Sequence, residues 1–184
     1  MQITDLDLSG VKLVQLTVHG DARGFFMESY REEAWRPILG AQSFVQDNQS
    51  LSTRAGTVRG LHYQMPPFAQ AKLVQCLRGR IFDVAVDLRR NSPTFGRHLA
   101  RELVAGDGRQ LFVPAGFAHG FMTLEPDSMV TYKVTSRYEP KSERGLAWDD
   151  PDLGIAWPLP AGATVELSQR DREWPRLRGL TDLF

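Results

Sequence analysis

The stretch KLVQCLRGRIFDVAVDLRRNSPTFG, residues 72–96, decides the architecture. Lys72–Leu77 reads as a strand closed by Arg78-Gly79, and Ile81–Leu88 as a second strand closed by the turn formers Asn91-Ser92-Pro93. Side chains alternate across a strand, so in IFDVAVDL the residues Phe82, Val84, Val86 and Leu88 share one face. Ile81, Asp83, Ala85 and Asp87 share the other. The first face is wholly apolar. The second mixes small and acidic residues, as the inside of a ligand-lined barrel does, or as the wet side of an ordinary edge strand does; the pattern fits both.

The same grammar extends outward. Gly106-Asp107-Gly108 turns the chain, Gln110–Val113 stops at Pro114, and Met129–Thr135 is a further strand in which Val130, Tyr132 and Val134 share an inward face. A buried phenol there needs a partner for its hydroxyl. Upstream, residues 57–76 (TVRGLHYQMPPFAQAKLVQC) look like two strands and a turn. One helix is legible: Ser29-x-x-Glu32 has the spacing of a capping box, Ala34, Trp35, Ile38 and Leu39 form a stripe, and Gly40 offers a stop. Short strands between Gly and Pro turns indicate an antiparallel sandwich or barrel rather than a parallel α/β sheet. After Trp157 the pattern weakens into a proline- and charge-rich segment expected to wrap the barrel.

At 184 residues, 42% of them hydrophobic, the chain is expected to form one domain, 1–184, with a real core. Its 22 basic and 22 acidic residues cancel, which argues against nucleic acid or a membrane surface as a partner held by bulk charge. Cys76 is the only cysteine, so no internal disulfide forms. No apolar run approaches the roughly 18 residues of a membrane span, and the N-terminus lacks the form of a signal peptide. A cytoplasmic location is expected.

Residues 57–76 raise the functional question, because Arg59, His62, Gln64 and Lys72 sit among residues fit for a core. Buried polar groups are costly unless they satisfy one another or handle a ligand. Gly108-x5-Pro114-x-Gly116-x2-His119 matches most of the second motif of cupins, small jelly-roll barrels, and Gly56-x5-His62-x-Gln64 is similar to the first. The fold class expected is therefore mainly β: a cupin-type jelly-roll β-barrel with a short helix near the N-terminus and a C-terminal wrapping segment. In cupins two histidines and a glutamate of the first motif bind metal. Here Gln64 stands where the second histidine belongs, and Lys72 sits near the place of the glutamate. An ammonium repels a divalent ion, and His62 with His119 falls short of a three-ligand site. No metal is expected; a cation-lined pocket is, suited to an anionic ligand or a developing oxyanion.

Seven blocks in order extend the likeness: DARGFFMESYR (21–31), FVQDNQS (44–50), RGLHYQMPPFAQAKLV (59–74), GRIFDVAVDLRRNSPTFG (79–96), QLFVPAGFAHGF (110–121), TYKVT (131–135) and WDDPDLGIAWP (148–158). Together they strongly resemble the dTDP-4-dehydrorhamnose 3,5-epimerase family, cupin-type enzymes of dTDP-L-rhamnose biosynthesis that use no cofactor. The resemblance implies epimerisation at C3 and C5 of dTDP-4-dehydro-6-deoxy-D-glucose. Both centres flank the C4 ketone, so the chemistry needs a base, an acid on the opposite face and a cation for the enolate oxygen. It further implies that His62 is the base, Asp171 its orienting carboxylate, Tyr132 the acid and Lys72 the support of the ketone oxygen. Arg59 and His119 match substrate-contacting positions. Arg23, Glu28, Gln46, Asp47, Asn48, Glu143 and Arg170 match nucleotide-sugar positions, with Arg23 and Glu28 reaching across a homodimer whose N-terminal strands are exchanged. Gln49 departs from a histidine common in the family, and Arg170 from a lysine.

One geometric conflict stands out. Arg59 and His62 are three residues apart, which strict alternation puts on opposite faces; Gly60 is positioned to supply a bulge that re-aims one of them. Each residue alone also has a plainer reading. His62 and Tyr132 fit a satisfied core, Asp171 a solvated tail, Lys72 a strand start at the surface, Asp83 and His119 a structural pair, and Cys76 a small core residue. The competing functions are a single-centre epimerase, a non-catalytic sugar-nucleotide sensor on the same barrel, and a metal-dependent cupin oxygenase.

Overall fold

The computed structural model describes residues 1–184. Its strands are β1 (Gln2–Asp5), β2 (Lys12–Gln15), β3 (His19–Asp21), β4 (Gly24–Phe26), β5 (Gln46–Ser52), β6 (Val58–Gln64), β7 (Lys72–Arg78), β8 (Arg80–Asp87), β9 (His98–Val104), β10 (Arg109–Val113), β11 (Phe117–Thr123), β12 (Ser128–Val134) and β13 (Glu143–Gly145). Helix α1 covers Glu32–Leu39 and the single turn α2 covers Gln169–Arg172. All named strand pairs are antiparallel. A six-stranded sheet runs β1-β2-β10-β7-β12-β5, a five-stranded sheet runs β13-β6-β11-β8-β9, and β3-β4 forms a separate hairpin. The two large sheets face one another as a jelly roll, the mainly β cupin-type architecture expected from the turn pattern.

Three apolar layers hold the sheets. Between them lie Val74 and Cys76 of β7, Ile81 and Ala85 of β8, Leu111 and Val113 of β10, Phe117 and Phe121 of β11, and Val130 of β12. Outside the five-stranded sheet, Val84, Val86 and Leu88 join Leu61, Tyr63 and Leu146 beneath Trp157, Leu177, Leu180 and Phe184. The wholly apolar face of IFDVAVDL thus points outward and is covered by the C-terminal segment, while the mixed face points into the barrel. The wrap is also hydrogen-bonded: Phe184 N–H donates to Leu88 O, Arg90 N–H to Phe184 O, and the Tyr63 hydroxyl to Asp182 O. Outside the six-stranded sheet, Trp35 of α1 is fully buried against Val14, Leu73 and Phe112.

Two local expectations are corrected. Helix α1 starts later than the capping box requires: Arg31 is its N-cap and contributes no side-chain bond. Ser29 lies two residues before that cap, and its backbone carbonyl accepts from Gln110 Nε2, 3.0 Å away. Gly40 ends the helix as expected, with φ 61°. Asp87 was grouped with Asp83 on the mixed face, but its carboxylate is spent at the β8 turn, accepting from Arg89, Ser92 and Thr94. Burial would push that carboxyl up, yet these donors hold it down at about 2. No helix is long and apolar enough to cross a membrane.

Candidate active site

Strand parity delivers the site residues. On β7 the inward set is Lys72, Val74 and Cys76, so the strand that begins with Lys72 carries its amine into the barrel. On β12 the inward set is Val130, Tyr132 and Val134. The irregularity is on β6, where His119 of β11 pairs with His62 but Phe121 pairs with Arg59. Two steps on β11 therefore match three on β6, which is a bulge, and it turns Arg59 and His62 to the same side. Gly60 makes it possible: its φ is +138°, and a Cβ there would lie 2.5 Å from the Cα of Gly120.

Two adjoining chambers open on this side, of about 380 Å³ and about 250 Å³, sharing His62, Lys72, Tyr132 and Glu143 as a common wall. The first is completed by Gln46, Asn48, Gln70 and Tyr138 among others. Arg59, His119, Arg170, Asp171 and Ser50 contribute to the second. Together they have the size and polar lining of a site for a small polar ligand.

Nε2 of His62 lies 2.5 Å from Oδ1 of Asp171, 109 residues away in sequence. A carboxylate accepts, so Nε2 carries the proton and Nδ1 keeps the lone pair. Asp171 is almost fully buried. Burial alone would raise its carboxyl, but hydrogen bonding by His62, Ser168 and Trp174 holds it below the usual range, so it stays an anion. The Ser168 hydroxyl caps α2 by accepting from the Asp171 N–H. The surface reading of this aspartate is thereby overturned.

Lys72 is only 7% exposed, which overturns its surface reading as well. Its Nζ donates to the carbonyl of His62 at 3.2 Å. Burial pushes the ammonium down to about 8, against the pull of Asp83 and Glu143. Burial likewise raises the Tyr132 phenol, with Arg59 opposing, so it remains protonated at neutral pH. His119 Nε2 stands 2.9 Å from Asp83 Oδ1 deep in the barrel, the pairing the plainer reading anticipated, while its ring also lines the second chamber. Arg59 is held by Ser52 Oγ and Leu51 O. The Arg170 guanidinium pairs with Glu143 at 2.5 Å.

The cupin-type ligand set is dismantled in detail. Gln64 Nε2 donates to the carbonyls of Phe68 and Arg137, and its Oε1 accepts from the N–H of Glu139. It is a staple between loops. No group of three or more His, Cys, Asp or Glu side chains is arranged to hold a metal ion.

Of the residues singled out in the sequence, His62, Tyr132, Lys72, Asp171, Gln46, Asn48, Arg59, His119, Glu143 and Arg170 meet at the two chambers. Asp47 does not: alternation on β5 turns it to the other face, where it pairs with Lys133 at 2.9 Å. Arg23 and Glu28 also stand apart. They pair with Asp21 and Arg31 in the exposed N-terminal region. Among the residues missed, three bear most on the site. Tyr138 donates to Glu143 Oε2 and lines the first chamber. Ser50 presents a buried hydroxyl without a partner to the second. Trp174 donates to Asp171 Oδ1 at 3.2 Å. The signal for Trp174 was its place three residues after Asp171; Ser50 and Tyr138 carried none.

A jelly roll that brings an imidazole–carboxylate pair, a phenol and a buried ammonium to adjoining chambers is a cupin-type barrel holding the groups that acid–base chemistry uses. Residues 5–179 match the family described as dTDP-4-dehydrorhamnose 3,5-epimerase. The chain belongs to this family. It is 51% identical over 177 residues to the dTDP-4-dehydrorhamnose 3,5-epimerase of Sinorhizobium fredii, covering 96% of this chain and 90% of that one. Its fold matches dTDP-6-deoxy-D-glucose-3,5-epimerase of Legionella pneumophila, solved with dTDP-4-keto-L-rhamnose, at TM-score 0.91 and 42% identity over 97% of this chain and 94% of that one. It also matches a 3'-monoepimerase of Streptomyces bikiniensis, solved with dTDP-quinovose, at TM-score 0.86 and 36% identity over 94% and 86%.

Proposed function

We propose that the chain epimerises dTDP-4-dehydro-6-deoxy-D-glucose at C3 and C5, giving dTDP-4-dehydro-L-rhamnose for rhamnose biosynthesis. The observation that carries this reading is the His62–Asp171 contact on the wall shared with Tyr132 and Lys72. The Nδ1 lone pair of His62 removes the proton on the carbon beside the C4 ketone. Asp171 stabilises the imidazolium that results. The enolate oxygen is met by the Lys72 ammonium, whose attraction is strengthened by its burial. Tyr132 then returns a proton to the opposite face. No metal or cofactor takes part. Gln46, Asn48, Arg59, His119, Glu143 and Arg170 hold the nucleotide sugar, with Tyr138 beside them.

Incubation with dTDP-4-dehydro-6-deoxyglucose in D2O tests the reading. Two deuterons, at C3 and C5, are expected; one would assign a single-centre epimerase, as in the structurally similar 3'-monoepimerase. A sensor without chemistry would take up none. His62→Asn is expected to slow exchange about 10²- to 10⁴-fold. Tyr132→Phe should reduce product formation more than substrate binding, since it keeps the ring and deletes the donor.

Arg23 and Glu28 enter the same scheme through a homodimer with exchanged N-terminal strands. The β3-β4 hairpin pairs only with itself and leaves Phe25 and Phe26 58% and 70% exposed, an apolar edge suited to a second copy. Sedimentation at micromolar concentration should give twice the mass of one chain.

A further inference from the structure

We propose that Trp174 is a positioning residue for the His62–Asp171 pair: its indole N–H fixes the carboxylate while its ring, seated on Gly145, closes the pair from outside. The inference deepens the epimerase reading and rests on His62 being the base.

Oδ1 of Asp171 serves two donors at once, His62 Nε2 at 2.5 Å and Trp174 Nε1 at 3.2 Å. The indole stands edge-on to the imidazole, centroids 6.0 Å apart at 70°. Across the β13–β6 ladder, Gly145 is the direct partner of His62. A Cβ on Gly145 would meet three indole ring atoms at 2.1–2.5 Å. The backbone at 145 is not in the left-handed region, so the turn of the chain does not demand glycine; the indole does. The Arg170 guanidinium lies 5.1 Å over the same ring while pairing with Glu143. Trp174 lines neither chamber, so it acts on the substrate only through the pair.

A second donor on Oδ1 shares the carboxylate's charge and prevents its rotation. That keeps the Nε2 proton on the imidazole and moderates the pull on the imidazolium. Removing the donor returns that charge to His62 and raises its proton affinity, leaving less free base at neutral pH. The other charged and titratable groups facing His62 are Arg59, Lys72, Arg170, Glu143, His119 and the phenols of Tyr132 and Tyr138. Of these only Arg170 touches the indole, and Trp174→Phe keeps an aromatic ring beneath its guanidinium.

The test is the ring titration of His62 by NMR, one of four histidines, with His62→Asn assigning its signal. Trp174→Phe is expected to raise the His62 pKa by about half a unit and lower kcat about tenfold, with KM within about twofold. Gly145→Ala, which expels the indole, should give the same rise. In a Trp174→Ala background Gly145→Ala should add no further change, because the seat is then vacant. A His62 titration that stays put in both folded single variants overturns the proposal and leaves Trp174 a structural wedge. Normal deuterium uptake by wild type with that immobile titration sinks the positioning role and spares the epimerase reading. A shifted titration without any uptake by wild type does the reverse.

Discussion

Lys72 carries two opposed demands in one side chain. Its buried ammonium is the cation the enolate needs, and burial brings its pKa from 10.5 down to about 8. Between those values the unfolded chain holds a proton that the folded one has lost, so this residue's contribution to stability rises with pH across that window. Below about 8 both states are charged, and the whole net cost of burying the ammonium, on the order of 3 kcal/mol, is present. Activity runs the other way. Deuterium exchange should fall as pH passes about 8 while the urea midpoint climbs. Lys72→Met, which keeps the stem and drops the charge, should be at least as stable as wild type at pH 7 and lack the alkaline loss of exchange because little exchange remains. An exchange profile flat to pH 10 in wild type would remove Lys72 from the chemistry. Cys76, a few residues on, is inert by contrast: burial pushes its thiol up to about 11.

At the scale of an element, the bulge in β6 converts a sequence conflict into a site. Gly60 is required twice, for its positive φ and for the close approach of Gly120. Gly60→Ala should cost more than about 2 kcal/mol in denaturant unfolding and abolish exchange by turning Arg59 or His62 away. A variant of wild-type stability and activity would show that the bulge does not set the aim. Elements also show where local pattern misleads. Strand β9, HLARELV, went unread because its charges interrupt the alternation; it forms as an edge strand whose Leu99 and Leu103 reach the inter-sheet core. The α1 stripe and its Gly40 stop were legible because helix periodicity is local. Its true start was not, because the N-cap, Arg31, carries no capping side chain for a pattern to show.

Over the whole molecule, the C-terminal segment does two jobs. It covers the outer apolar face of the five-stranded sheet, and on the way it delivers Asp171 and Trp174 to His62. Deleting residues 177–184 strips Leu177, Leu180, Leu183 and Phe184 from that face and should lower stability by roughly 3 kcal/mol or more, read as a lower thermal midpoint. Exchange should survive at low temperature, because Asp171 lies upstream of the cut. Unchanged melting would mean that the segment decorates the sheet without holding it.

The strands β6–β8, β10 and β12, the face shared by Val130, Tyr132 and Val134, the absent second histidine and the family's ordered blocks were all legible from residues a few positions apart, where alternation and turn chemistry act. Which face of β8 looks inward, that Lys72 is buried rather than a surface strand start, and that Arg59 joins His62 depended on contacts between strands far apart in the chain. So did the seat of Trp174 on Gly145, since a one-dimensional pattern reports neither which residues meet nor how much water remains between them.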